Sequence, residues 1–296
     1  MDDSVVIGWG KETQVDQLCD IWMMCFFDSI EYCRFFFSHY KTDKNTLVLT
    51  LGEEPVSMLS LLPASMYING VKRKLAYIYA VATLPQFQKR GYSTKLLNYA
   101  SDLLNENKIL PILVPASDEL KLFYAKKGYY PASYKKTIKL EIFTARGVFS
   151  ITGSNEEHLI KNNVDIALVD ISANEYKNMR DAFFAKDGYI EWSLSDIEYR
   201  IKETAYWGGL TCKVVYRGNK YALIAYCKDN TLIIKEAIIP EDVILDVVIW
   251  VAVKLNCSNV NMTLPSYSGL IGETKMLAMA TSASFPNNSY LNLVLD

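Results

Sequence analysis

Two long apolar runs, "PVSMLSLLPASMYI" (Pro55 to Ile68) and "VKRKLAYIYAVAT" (Val71 to Thr83), are separated only by Asn69 and Gly70. Asn-Gly accepts the positive φ angles of a type I′ turn, whose twist matches that of the strands it joins, so the pair predicts an antiparallel hairpin. A third strand, "TLVLTL" (Thr46 to Leu51), reaches the first across the short "GEE" turn, which makes a meander. The period then changes. Leu96, Leu97, Ala100, Leu103 and Leu104 recur at helical spacing through about Asn105, and a short apolar strand, "ILPILVP" (Ile109 to Pro115), follows. Strand, helix and strand form a βαβ unit, so Val71–Thr83 and Ile109–Pro115 should be parallel neighbours. The helix "ELKLFYAKKG" closes at Gly128, and "YKKTIKLEIF" (Tyr134 to Phe143) alternates like a further strand. Ahead of the meander, residues 13 to 40 predict one or two helices, with Leu18, Ile21, Trp22, Cys25 and Phe26 on one face. The aromatic cluster "CRFFFSHY" that follows suits a core or a pocket wall.

The same programme restarts near Ile166. Two helical segments, "ISANEYKNMRDAFFAK" and "SLSDIEYRIKETAYW", precede the strands "TCKVVYR", "KYALIAYC" and "TLIIKEAII", which are joined by "GN" and "KDN" turns. A helix over Glu241 to Leu255 and a strand over Asn259 to Pro265 then give a second βαβ unit in the corresponding place. The chain reads as a tandem duplication, with domains over residues 1–150 and 151–296.

Composition limits what such a pair of domains can do. The 31 basic and 33 acidic residues of the 296-residue chain give a net charge of −2, so there is no global electrostatic reason to bind nucleic acid or an anionic membrane. Any anion site must be local. The start, "MDDSVVIGWG", lacks the basic and long apolar regions of a secretory signal, and export is not expected. The longest apolar run, Val243 to Leu255, contains Asp246 and falls short of the roughly 20 residues a membrane helix needs, so it predicts a buried helix. Six cysteines without CxxC spacing and two histidines support neither a disulfide framework nor a zinc site. Cys19, Cys25 and Cys33 fall in the aromatic-rich helical segment, where buried free thiols are expected.

A local anion site is offered by "PQFQKRGYSTKLL" (Pro85 to Leu97), in which two bases and a glycine stand directly before the first βαβ helix. The first N–H groups of a helix have no partner within it and carry the positive end of its dipole. The equivalent turn in the second half, "IIPEDV" (Ile238 to Val243), is shorter and acidic; Glu241 and Asp242 suit the dipole but repel a phosphate.

The order of elements and the sequence Gln88, Lys89, Arg90, Gly91, Tyr92, Ser93 together resemble the GNAT superfamily of N-acetyltransferases. Its signature is Gln/Arg-x-x-Gly-x-Gly/Ala, with Ser93 here in the last small position. "FYAKKGYYPA" is similar to the family's Tyr-x-x-x-Gly-Phe/Tyr element and sets Tyr124 where its catalytic tyrosine stands. The resemblance implies a mixed α/β (α+β) class, with tandem GNAT-like domains that are each a mixed, mostly antiparallel sheet flanked by helices. It further implies acetyl-CoA as cosubstrate and no metal. The backbone of Val81, Ala82 and Thr83 would pair with the pantetheine arm, while N–H groups from Lys89 to Thr94 would hold the pyrophosphate. Tyr124 would be the general acid. Ser117 stands where relatives often carry an asparagine that contacts pantetheine, and no glutamate base is present on "AYIYAVAT". Asp28, Glu31, the carboxylate of Asp296 or water are left as routes for the amine's proton.

An active domain followed by a degenerate one resembles the enhanced-intracellular-survival type acetyltransferases, here without their sterol-carrier-like domain. The expected function is cytoplasmic N-acetyl transfer to a small-molecule or peptide amine, with a homo-oligomer compatible with that reading. The competing expectation is a non-catalytic acyl-CoA binding or sensing protein.

Overall fold

Asn69 and Gly70 both take positive φ, 50° and 74°, and Ile68 lies opposite Val71 across them, so the hairpin forms as its sequence predicts. The computed structural model describes residues 4–145, 148–152, 166–281, 285–286 and 289–293. The chain divides into two units, one of Met1–Pro131 with Ala278–Phe285, the other of Ala132–Leu277 with Pro286–Val294.

The first unit contains β1 (Val5–Trp9), α1 (Val15–Phe26), α2 (Ile30–His39), the one-turn α3 (Thr42–Asn45), β2 (Thr46–Leu51), β3 (Glu54–Ile68) and β4 (Val71–Thr83). It continues with α4 (Tyr92–Glu106), β5 (Leu110–Leu113) and α5 (Asp118–Ala125). Its sheet runs β1-β2-β3-β4-β5, antiparallel except for the parallel pair β4 and β5 that the βαβ unit requires. β1 has no clear sequence signal because Val5, Val6 and Trp9 remain exposed, so its pattern does not alternate. The helical segment before the meander is two helices. Phe27 takes the left-handed conformation at φ 63° and stops α1, and the Ser29 hydroxyl accepts the Tyr32 N–H to start α2. Leu18, Trp22 and Phe36 from these helices and Leu96 and Leu97 from α4 are buried with Leu47, Leu49 and Met58 of the sheet.

The second unit holds β6 (Tyr130–Ala145) from Ala132 on, β7 (Val148–Thr152), β8 (Ile166–Asp170), α6 (Ala173–Phe184), β9 (Ile190–Glu191) and α7 (Leu194–Tyr206). Then come β10 (Leu210–Tyr216), β11 (Asn219–Lys228), β12 (Thr231–Ile238), α8 (Glu241–Lys254), β13 (Asn259–Pro265) and β14 (Glu273–Ala280), whose last three residues count with the first unit. From β8 its sheet runs through β10, β11, β12 and β13 to β6, and β12–β13 is again the parallel pair. The two halves therefore repeat one programme of meander, helix and parallel strand. α8 is apolar almost all round and its Val247, Val248, Ile249, Val251 and Ala252 are fully buried. Asp246 is accommodated there because the Tyr216 hydroxyl donates to it at 3.1 Å. No described helix is long and apolar enough to cross a membrane.

Candidate active site

The parallel ladder between β4 and β5 runs from Leu75 opposite Leu110 to Ile78 opposite Leu113, whereas β4 continues to Thr83. Just beyond the ladder, Leu59 of β3 faces two residues of β4, Ala80 and Val81, and Ala80 takes φ 50°. Such a bulge bends and twists its strand, here as β4 leaves β5. From Ala80 to Thr83, including the predicted Val81, Ala82 and Thr83, the β5 side of β4 has no ladder partner among the described residues.

The basic turn follows at once. Pro85–Phe87 forms a single 3₁₀ turn, and the Gln88 side-chain amide donates to the Thr83 carbonyl at 3.0 Å. Gln88 thereby ties the turn to the strand end. Lys89 at φ 61° and Gly91 at φ 80° both enter the left-handed region, and α4 starts at Tyr92. Its first helical bond runs from the Lys95 N–H to the Gly91 carbonyl, and no side chain caps it. The N–H groups of Tyr92, Ser93 and Thr94 therefore have no partner among the described residues. A Cβ at Gly91 would meet no atom within 4 Å, so the turn leaves open space in front of these donors. Lys89 and Arg90 are exposed, but the Arg90 guanidinium lies over the Phe87 ring at 5.3 Å and so is held beside the turn.

β5 ends beside β4 and leads into α5, so the N-termini of α4 and α5 both follow the carboxyl ends of the parallel pair, on one edge of the sheet. That is where open α/β sheets bind ligands. Ser117 caps α5 by accepting the Leu120 N–H at 3.3 Å. Tyr124, one helical stretch further on, is 6% exposed, and its ring meets Tyr129 edge-on at 5.8 Å. Burial, with a smaller contribution from Tyr129, pushes the Tyr124 phenol up to about 12. Among the described residues, no hydrogen bond contributes to this shift.

α1 closes the other side of the strand end, since the Cys25 thiol donates to the Thr83 carbonyl at 3.3 Å. Burial pushes this thiol's pKa up, so it is a packing contact and not a nucleophile. The Trp22 indole N–H donates to Asp28 at 2.8 Å, which gives that carboxylate a structural partner. Glu31 is exposed and is held below the usual carboxylate range by its own backbone N–H and by Ser29, the signature of a helix-start residue. Asp296 lies outside the described residues. The Cys25 and Phe87 contacts were not readable from the sequence, because nothing local connects either residue to the motif.

The arrangement therefore offers N–H donors and cations for an anion, next to a bare strand edge for an extended amide chain. Residues 9–132 match the acetyltransferase (GNAT) domain family. This segment is thus similar to a GNAT acetyltransferase domain. The fold of nearly the whole chain is found in a probable N-acyltransferase from Enterococcus faecalis, with a TM-score of 0.71 at 13% identity over 94% of this chain and 72% of that one. It is also found in Eis1 of Mycobacterium abscessus, with a TM-score of 0.66 at 11% identity over 93% and 73%. A putative acetyltransferase from Pyrococcus horikoshii is similar over 98% and 93%, with a TM-score of 0.58 at 13% identity. No curated protein matches the chain by sequence.

Among the described residues, the second unit has no basic turn of this kind before its βαβ helix. α8 starts directly after Pro240, with Glu241 and Asp242 in its first turn, and the Gly269 N–H donates to the Glu241 carboxylate at 3.0 Å. The acidic side chain at that helix start is thus used to hold a neighbouring loop.

Proposed function

We propose that the chain is a cytoplasmic, acetyl-CoA dependent N-acetyltransferase that acetylates a primary amine of a small molecule or peptide by direct attack. The observation that carries this reading is the open first turn of α4 beside the bare end of β4, within a segment similar to a GNAT domain. The pyrophosphate would sit on the N–H groups of residues 89–94, with Lys89 and Arg90 as flanking cations and Gly91 permitting close approach. Val81, Ala82 and Thr83 would hold the pantetheine amides in the manner of a further strand, and Ser117 would lie along the same arm. Bound acetyl-CoA supplies an activated thioester.

The chain's own part is to orient the amine, exclude water and place a donor at the departing sulfur. Tyr124 is the residue proposed for that sulfur, because its phenol holds its proton throughout the neutral range. The reaction so written needs no metal. Its test is thiol release from acetyl-CoA across a panel of primary amines. Turnover with one class of amine supports the enzyme, and tight coenzyme A binding with no turnover on any amine would favour an acyl-CoA sensor.

Among the described residues, only the first unit joins a basic turn to an open helix start. Calorimetric titration with coenzyme A should accordingly give one site per chain, and two equivalent sites would show that the acidic start of α8 does not exclude the ligand.

A further inference from the structure

Two cysteines of the second unit are distant in sequence and adjacent in the fold. Cys227 lies near the end of β11 opposite Leu232 of β12, and Leu232 is in turn opposite Val260 of β13. Residues paired across a ladder share one face of the sheet, and Leu232 and Val260 are buried on the face that packs against α8. Cys227 therefore stands on that face too, at its rim, where it is exposed. Cys257 follows the C-terminal end of α8, belongs to the same apolar cluster and is 6% exposed. The adjoining backbone is clamped. Asn230, in the turn after β11, accepts the Ser258 N–H on its main-chain and side-chain oxygens, both at 3.1 Å, and its side-chain amide donates to the Ser258 hydroxyl at 2.6 Å. Beside this clamp the Cys257 thiol meets the Cys227 sulfur and hydrogen-bonds to it.

The two thiols differ in access and in acidity. Burial, reinforced by the contact with Cys227, pushes the Cys257 thiol up to about 11, so it keeps its proton through the neutral range. Cys227 is the sulfur that a small oxidant in water reaches. An exposed thiol touching a second, protected one is the arrangement in which the first is oxidised and the second resolves it. Cys19 and Cys33 of the first unit supply the contrast. Their thiols also hydrogen-bond to each other, but both are fully buried, so a dissolved oxidant reaches neither while the chain is folded.

We propose that Cys227 and Cys257 are a peroxide-oxidisable pair that closes reversibly to a disulfide. In the first step the Cys227 sulfur attacks one oxygen of hydrogen peroxide and the O–O bond breaks. The second oxygen leaves as water with the thiol proton, and Cys227 becomes a sulfenic acid. The Cys257 sulfur then attacks that of Cys227, the S–O bond breaks, and the hydroxyl leaves as water with the Cys257 proton. Two thiols and one peroxide thus give one disulfide and two waters, and a dithiol reductant reverses the closure by exchange. In a reducing compartment the pair rests as thiols and closes only during exposure to oxidant.

The proposal is independent of the transferase reading, and its test involves no turnover. The full, reduced chain is exposed to hydrogen peroxide, its remaining thiols are blocked with N-ethylmaleimide in denaturant, and its peptides are mapped by mass spectrometry without reductant. A cross-linked peptide joining Cys227 to Cys257 is expected, and it should be lost on treatment with dithiothreitol, with Cys19 and Cys33 recovered as blocked thiols. Cys227→Ser should abolish oxidation of Cys257, whereas Cys257→Ser should leave on Cys227 a sulfenic acid that dimedone traps. Melting curves establish that each variant is folded, and if Cys257→Ser is not, the wild-type map and Cys227→Ser decide. Absence of the cross-linked peptide, a cross-link from Cys227 to a second chain, faster oxidation of Cys19 and Cys33, or continued oxidation of Cys257 in folded Cys227→Ser would each overturn the assignment.

Discussion

Gly91→Glu is expected to abolish coenzyme A binding while leaving the chain folded. The two effects separate because the position is crowded for a ligand but not for the protein: no atom lies within 4 Å of a Cβ built there. The folding cost is confined to the backbone, since Gly91 sits at φ 80° and a side chain in the left-handed region costs about 1–2 kcal/mol. A carboxylate at a helix N-terminus recovers about 0.3–1 kcal/mol of that through the dipole. Against a stability of about 5–15 kcal/mol, the difference is tolerable.

The ligand faces the opposite balance. The new carboxylate would compete for the N–H groups of Tyr92, Ser93 and Thr94 and would repel a pyrophosphate by about 3 kcal/mol per charge pair at ~5 Å and an effective dielectric near 20. Even after screening at this exposed turn, the expected loss is at least about 100-fold in affinity. Gly91→Asn provides the control, because asparagine tolerates positive φ and adds no charge. It should bind coenzyme A with a much smaller loss. Calorimetry with coenzyme A, paired with thermal melts, checks both variants. Wild-type affinity in Gly91→Glu would reduce the turn to a solvated loop.

The features behind this prediction were legible because they are local. Strand, turn glycine and helix start are contiguous in Val71 to Glu106, and each is specified by residues within a few positions of it. The same holds for Asn69-Gly70 and for the second βαβ unit, where α8 and β13 lie where their periodicities place them. What was not legible depends on distant parts of the chain. Alanine has no intrinsic reason to adopt φ 50°, so nothing in "AYIYAVAT" announces the bulge at Ala80; tertiary packing imposes it. Alternation over Tyr134 to Phe143 announces a strand but not its partner, which proves to be β13 far downstream. Gln88 shows the middle case. Its place in the motif was readable, but its hydrogen bond to the Thr83 carbonyl, which makes it a brace for the turn, was not.

Tyr124→Phe should lower kcat by about 10² to 10³ with little change in the KM for acetyl-CoA. The ring is what packs beside Phe123 and Tyr129, and it is retained. Only the hydroxyl is lost, and no hydrogen bond from a described residue is among the causes that set its acidity. The size of the effect follows from the acidity. With the phenol at about 12, complete proton transfer to a thiolate of ordinary pKa near 8.5 is uphill, so its larger contribution is a hydrogen bond to the sulfur as negative charge develops there. Removing one such oriented donor costs about 10² to 10³ in rate, toward the lower part of the range for a general acid.

The pH dependence separates this role from others. A phenol raised to about 12 stays protonated through pH 10, so the wild type should show no alkaline loss of kcat from Tyr124 below that pH. The ratio of wild-type to variant kcat should therefore be flat from pH 6 to pH 10, measured on an amine the wild type accepts. A ratio that collapses within that window would mean that the phenol ionises there and that its burial does not persist in the complex. An unchanged kcat would make Tyr124 a core tyrosine and send the search for the sulfur's donor to the start of α5.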